Sequence, residues 1–227
     1  MPEVVLAEAY RHHRQQVNLA LRRPGMYGRD EAGPRLLMEA LAVVDNRLAD
    51  WTAECDGLRS RGAFTATGVA GAFVALVPEQ VRQTAAAAVY AQIAHRLGWL
   101  DLDHALPAES YHRLAAEVQD WTGQDRTLAE VVDAFGPPSL WIGGSNRLYP
   151  KSLCYTTATG EDLVCFHLDG AAIPQQGEQE QHSVDGEPAL LAVGHRPGRF
   201  LDSFSFTPQG RRRQPADEPC DSTPPRI

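Results

Sequence analysis

The feature that most constrains the fold is a change in hydrophobic period at Gly136-Pro137-Pro138. Before this point, apolar residues recur at steps of three and four, which is typical of amphipathic helices. After it, short apolar runs alternate with turn-rich segments, which predicts strands. Helices that precede strands along a chain favour an α+β fold with an antiparallel sheet. We therefore expect a helical N-terminal region packed on a C-terminal antiparallel sheet of about five strands.

The same change divides the 227 residues into three parts. Residues 1–136 are expected to form the helical region and residues 137–207 the β region. Residues 208–227 are rich in proline and arginine, a composition typical of a disordered tail. The Gln/Glu/Gly-rich residues 174–187 are expected to form a mobile loop. We expect the helical and β regions to form one compact domain, because the half-polar face of the sheet needs a cover.

Apolar stripes, helix-start signals and short apolar runs predict where the individual helices and strands lie. A stripe from Leu37 to Trp51 predicts one helix, and Thr127-Leu-Ala-Glu130 fits a capping box at the start of another. The predicted strands are Leu140–Ile142, Ser152–Thr157, Asp162–Leu168, Ala189–His195 and Phe200–Thr207.

Composition limits the class of protein. Acidic residues outnumber basic ones 29 to 21, so the net charge is −8, which disfavours a nucleic-acid binder. The start of the chain does not resemble a signal peptide, and no apolar run is long enough to span a membrane. Four cysteines without CxxC spacing are more typical of free thiols than of disulfides. Arginine-rich, Ala/Gly/Pro-rich usage suggests a GC-rich bacterial gene, and we expect a cytoplasmic protein without a cofactor.

One hairpin can be placed in register from the sequence alone. A two-residue turn at Thr159-Gly160 sets Cys154 opposite Cys165 and Ser152 opposite His167. Because side chains alternate along a strand, one face then collects a continuous set of apolar residues. The other face is neither strongly apolar nor charged, and it collects Ser152, Cys154, Thr156, Leu163, Cys165 and His167. A slip of one residue would mix the two sets. The polar face is expected to lie under helices or to line a pocket.

The connection before this hairpin is the first candidate site. It carries the only lysine of the chain, Lys151, next to residues that suit ligand binding. Glycines let a backbone approach a ligand closely, and basic side chains hold carboxylates or phosphates. Lys151, Tyr149 and His167 are the predicted catalytic residues. The predicted ligand-binding residues are Gly143, Gly144, Asn146, Arg147 and Ser152.

A second cluster on the polar face has a weaker signal. Cys154, Cys165 and His167, together with His195, have ligand types that suit zinc, but their spacing matches no known zinc motif, so no metal is predicted. A cysteine nucleophile assisted by His167 is the other interpretation. Buried cysteines that serve only as small apolar residues remain the simplest one.

A short local resemblance to a known family does not predict an activity. The run Leu21-Arg-Arg-Pro-Gly-Met-Tyr-Gly28, followed by Val43-Val-Asp-Asn46, resembles the start of the ATP-binding domain of type II topoisomerase B subunits. The family's catalytic glutamate falls on Ala42, and no Asp-x-Gly-x-Gly motif follows. An ATPase is therefore not predicted.

The sequence supports two functional hypotheses. The first is a protein that binds a small polar or anionic molecule in a pocket between helices and sheet, including the case of an accessory enzyme of specialised metabolism. The second is an acidic interaction module, such as an immunity or antitoxin-like partner of a basic protein, because complementary charge steers association. DNA binding through Arg211–Arg213 is disfavoured, because three arginines on an acidic body attract phosphate weakly.

Overall fold

A computed structural model describes residues 3–28, 31–158, 160–170 and 186–215. Its helices are α1 (Glu3–Arg22), α2 (Ala32–Val44), α3 (Leu48–Ser60), α4 (Val69–Ala72), α5 (Glu79–Arg96), α6 (Ala108–Trp121), α7 (Leu128–Phe135) and α8 (Pro208–Arg212). Its strands are β1 (Leu140–Ile142), β2 (Lys151–Tyr155), β3 (Val164–Asp169), β4 (Ala189–Gly194) and β5 (Phe204–Phe206). The predicted α+β class is confirmed, with the sheet on the C-terminal side.

The five strands form one antiparallel sheet in chain order, β1-β2-β3-β4-β5. Ser152 pairs with His167, and Cys154 pairs with Cys165, as the alternating pattern predicts. The ladder ends at Tyr155 and Val164, so both strands are shorter at this end than predicted. Thr159 of the predicted turn lies outside the described residues.

The apolar face of the sheet packs against α6 and α7. Leu153 and Phe166 of the sheet belong to one buried cluster with Leu114 and Val118 of α6 and Val131 of α7. The capping box at the start of α7 is present, with the Thr127 side chain accepting from the backbone of Glu130. The amphipathic helices that follow α5 thus cover one side of the sheet.

The half-polar face lies under α5. This helix is buried along most of its length, and alanines such as Ala85, Ala88 and Ala91 make up much of its contact surface. Small side chains allow a helix backbone to lie close to a sheet. Cys154 and Cys165 share a core cluster with these alanines, so the expected helical cover is present.

The stripe from Leu37 to Trp51 is divided between two helices, not carried by one. Asn46 has a φ of 55° between α2 and α3, a left-handed conformation that asparagine adopts more readily than most residues. The amide of Arg47 donates to the carbonyl of Ala42 and closes the helix end. The Asn46 of the short local resemblance therefore ends a helix.

The segment predicted to begin a disordered tail forms α8. Gly210 of α8 is buried against the backbone of Leu191, and Arg213 forms a buried ion pair with Asp169 at 2.9 Å. Residues 208–215 therefore differ from the prediction, and residues 216–227 lie outside the described part of the chain. Most of the predicted loop 174–187 also lies outside it, from 171 to 185. Phe200–Ser203 is a 3₁₀ turn, not the start of the last strand.

Candidate functional site

Lys151 is fully buried at the start of β2, where it organises the connection from β1. Its Nζ donates to the backbone carbonyls of Gly144 at 2.9 Å, Asn146 at 2.5 Å and Tyr149 at 3.0 Å. An ammonium group has three donors, so these bonds use all of them. The compact ammonium suits three converging carbonyls better than the planar guanidinium of arginine. The structure thus gives a physical reason for the only lysine of the chain.

The surroundings of Lys151 disfavour the charged form of its amine. Burial lowers the pKa of its amine, and the nearby Arg147 guanidinium lowers it further. The catalytic role predicted for this amine remains a prediction, but its donors are all engaged by backbone carbonyls.

The other residues of the β1–β2 connection are used mainly within it or lie at the surface. Gly143 has a φ of 95°, and a Cβ there would lie 2.6 Å from the carbonyl oxygen of Pro150. Asn146 accepts from the amide of Leu148, and Arg147 pairs with Glu187. Tyr149 is 63% exposed. The ligand-binding roles predicted for Gly143, Gly144, Asn146 and Arg147 remain predictions.

Ser152 and His167 are brought together in the middle of the sheet. Both are buried, and Ser152 Oγ lies 2.8 Å from His167 Nδ1. Burial lowers the pKa of His167 to about 4, so the imidazole is neutral near pH 7. Ser152 Oγ has no other partner among the described residues, and we infer that its hydroxyl donates to Nδ1. Nε2 then carries the proton.

A cavity of about 420 Å³ lies between α5 and this face of the sheet. His167 and Cys165 line it from β3, and Val89 and Gln92 line it from α5. The aromatic residues that line it include Phe73, Phe200 and Phe204. No partner of His167 Nε2 is found in the described part of the chain, so an N–H donor at the cavity wall is unused.

The charged residues of the cavity wall are of both signs. Arg96 is held by Asp162 and by Glu54, so its charge is compensated. Arg61 also lines the cavity, and within the described ranges its guanidinium has neither an ion pair nor a hydrogen bond. Glu161 is on the wall too. An anionic group would therefore be favoured near Arg61 and disfavoured near Glu161.

The cavity is not formed by the predicted loop. Of the predicted site residues, only His167 lines the cavity. Ser152 contacts the imidazole through its Oγ but is not part of the cavity wall. Sequence reasoning missed Arg61, Phe73 and Phe200, which come from separate helices and turns. No local motif marks such residues, because they become neighbours only when α3, α4 and the β4–β5 connection meet. The single available signal was the half-polar face of the hairpin.

The cysteine and histidine cluster does not assemble as a metal centre. His195 Nε2 lies 2.8 Å from Ser205 Oγ, and burial, followed by the Arg196 charge, lowers the pKa of His195 to about 4. Among the described residues, no group of three or more His, Cys, Asp or Glu side chains is placed to hold a metal ion. Cys154 and Cys165 face each other as free thiols, with their sulfur atoms 2.8 Å apart.

Comparison with protein-family models, with curated proteins and with solved structures gives no match. None of the described helices combines the length and the hydropathy needed to cross a membrane.

Proposed function

We propose that the protein binds a small molecule with an anionic group and an apolar body in the cavity between α5 and the sheet. The observation that carries this proposal is the position of His167 Nε2 at the cavity wall, where no hydrogen-bond partner for it is found among the described residues. An acceptor on a bound ligand would take this N–H as its hydrogen-bond donor.

The phenylalanine rings of the cavity wall suit an aromatic or aliphatic body. The Phe73 ring lies edge-to-face with the Phe200 ring at 5.0 Å and with the Phe204 ring at 5.6 Å. Aromatic clusters of this kind present ring edges and faces for further stacking. The volume lies within the range of about 300–1,000 Å³ that is usual for small-molecule sites.

The polar groups of the cavity wall suit a carboxylate or a similar anion. Neutral His167 offers one N–H donor, and Arg61 offers a charge with several donors. Glu161 disfavours an anion on its own side of the cavity, so the ligand's anionic group is expected near Arg61. A hydrogen-bond donor of the ligand would be favoured near Glu161.

Calorimetric titration with phenylacetate, which has a ring and a carboxylate, tests this proposal, with neutral phenylacetamide as the matched probe. We expect phenylacetate to bind more tightly than phenylacetamide. Arg61→Met should weaken phenylacetate binding roughly tenfold, because a charge-assisted hydrogen bond is lost. Glu161→Gln should leave phenylacetate binding unchanged or strengthen it, because a repulsive charge is removed. Equal affinity for both probes, or an Arg61→Met variant that binds like the wild type, would contradict the proposal.

We propose that this binding takes place in a bacterial cytoplasm, as composition suggests. The proposed function includes the case of an accessory enzyme of specialised metabolism. The alternative of an acidic module for a basic protein partner remains a prediction from the net charge of −8.

A further inference from the structure

Two cysteines on neighbouring strands form an unusually close pair beside the cavity. Cys154 and Cys165 are directly opposed in the antiparallel β2–β3 ladder, and their sulfur atoms are 2.8 Å apart without a covalent bond. Opposed residues in such ladders have Cα atoms about 4.5–5.5 Å apart. A disulfide accepts Cα separations of about 4.4–6.8 Å, so the backbone already meets its requirement.

Access to the pair is asymmetric. Cys165 lines the cavity and is 7% exposed, whereas Cys154 is fully buried behind it and is not part of the cavity wall. A small molecule in the cavity can therefore reach the sulfur of Cys165 first. The remaining described cysteine, Cys55, lies in α3 and serves as an internal comparison.

We propose that Cys154 and Cys165 form a reversible disulfide by thiol–disulfide exchange with small disulfides that enter the cavity. The thiolate of Cys165 attacks one sulfur of the small disulfide, whose S–S bond breaks, and the released thiolate takes up the proton that Cys165 gave up. The thiolate of Cys154 then attacks the sulfur of Cys165 and expels the second thiol, which takes up the proton from Cys154. Two protein thiols are oxidised, and one small disulfide is reduced to two thiols.

The order of the two steps follows from the environment. Burial raises the pKa of Cys154 well above its ordinary value, and the neighbouring Cys165 thiol raises it further. Since the thiolate is the nucleophile, Cys154 reacts slowly with outside reagents. Its attack within the pair is helped by the sulfur contact already present. Oxidation would link β2 and β3 covalently at the cavity wall, and it would not require the anionic ligand of the proposed function.

The test uses the full chain in a Cys220→Ser background, because Cys220 lies outside the described residues. The folded protein is incubated with 2-hydroxyethyl disulfide and analysed by intact mass and peptide mapping. We expect a mass lower by two hydrogens, a linked Cys154–Cys165 peptide pair, and reversal by dithiothreitol. Cys55→Ala should behave in the same way.

Two variants resolve the order of attack, and a thermal unfolding curve checks that each is folded. Cys154→Ala should accumulate a mixed disulfide on Cys165, because the second step is missing. Cys165→Ala should leave Cys154 unmodified. A Cys220→Ser protein that keeps both thiols free, or that links Cys55 instead, would overturn the proposal. Neither result depends on phenylacetate binding, so the two proposals can fail separately.

Discussion

At the scale of single residues, the lysine of the β1–β2 connection holds three backbone carbonyls. The sequence singles out Lys151 because it is the only lysine, but it does not indicate the role. The partners are three backbone carbonyls, which have no sequence signature, so the sequence alone could not predict these contacts. A buried side chain that satisfies several backbone groups can be recognised only when the chain is folded.

Replacing Lys151 should therefore reduce stability. We expect Lys151→Met to lower the free energy of unfolding by about 2–4 kcal/mol, because three carbonyls lose their donor. Urea denaturation measures this loss. Arg199→Met, at an exposed position, is the control and should change stability by less than about 0.5 kcal/mol. Equal stability of Lys151→Met and the wild type would refute the structural role.

His167 predicts a specific dependence of stability on pH. The unfolded chain takes up a proton on this residue near its ordinary pKa of 6.5, whereas the folded protein does so only near 4. The free energy of unfolding therefore falls as the pH falls through this window, by about 2 kcal/mol from His167 at about pH 5. The pKa of His195 is lowered into the same window and adds a smaller contribution, because that residue is less buried.

Urea denaturation across this pH range measures the slope. His167→Gln should show a shallower loss of stability on acidification than the wild type, whatever its stability near neutral pH. His104→Gln, at an exposed position, should keep the wild-type slope. The same slope in all three proteins would contradict the assignment of the buried neutral imidazole.

At the scale of elements, the hairpin could be predicted because the turn signal at Thr159-Gly160 and the alternation of apolar and more polar residues indicate the same register. Only the observed pairing sets Leu153 and Phe166 on the core face while Ser152 and His167 share the other face.

The break at Asn46 was missed because the apolar stripe continues across it. The helix α8 was missed because the proline- and arginine-rich composition of residues 208–227 was interpreted as that of a disordered tail. Thr207 followed by Pro208 is a helix-start signal that could have revealed it.

The contact of α8 with β4 can be tested through Gly210. A Cβ at this position would lie 1.9 Å from the carbonyl oxygen of Leu191, so the helix must move. We expect Gly210→Ala to lower the free energy of unfolding by about 1–3 kcal/mol. It should also make Arg211–Arg213 more susceptible to trypsin.

The matched control is Gly57→Ala in α3, where the added Cβ meets nothing within 4 Å. This change should be neutral or stabilise the protein by up to about 1 kcal/mol, since alanine favours helix. Wild-type protease resistance of Gly210→Ala would show that α8 does not depend on this contact.

At the scale of the whole molecule, a sheet covered on both faces positions the cavity. The class and the covered half-polar face could be predicted, because they follow from hydrophobic period and alternation. The cavity wall could not, because Arg61, Phe73 and Phe200 meet only through tertiary packing. The covering helix α5 is rich in alanine, and the cavity lies where its Ala88 and Val89 face the sheet.

The most direct measurement is native mass spectrometry of the protein purified from the cells that make it. We predict that the wild-type protein carries a small-molecule adduct that dissociates on collisional activation. Val89→Phe, which fills the cavity, should be purified at its bare mass with an unchanged circular dichroism spectrum. A wild-type protein without an adduct, or the same adduct on Val89→Phe, would contradict the assignment of the cavity as the binding site.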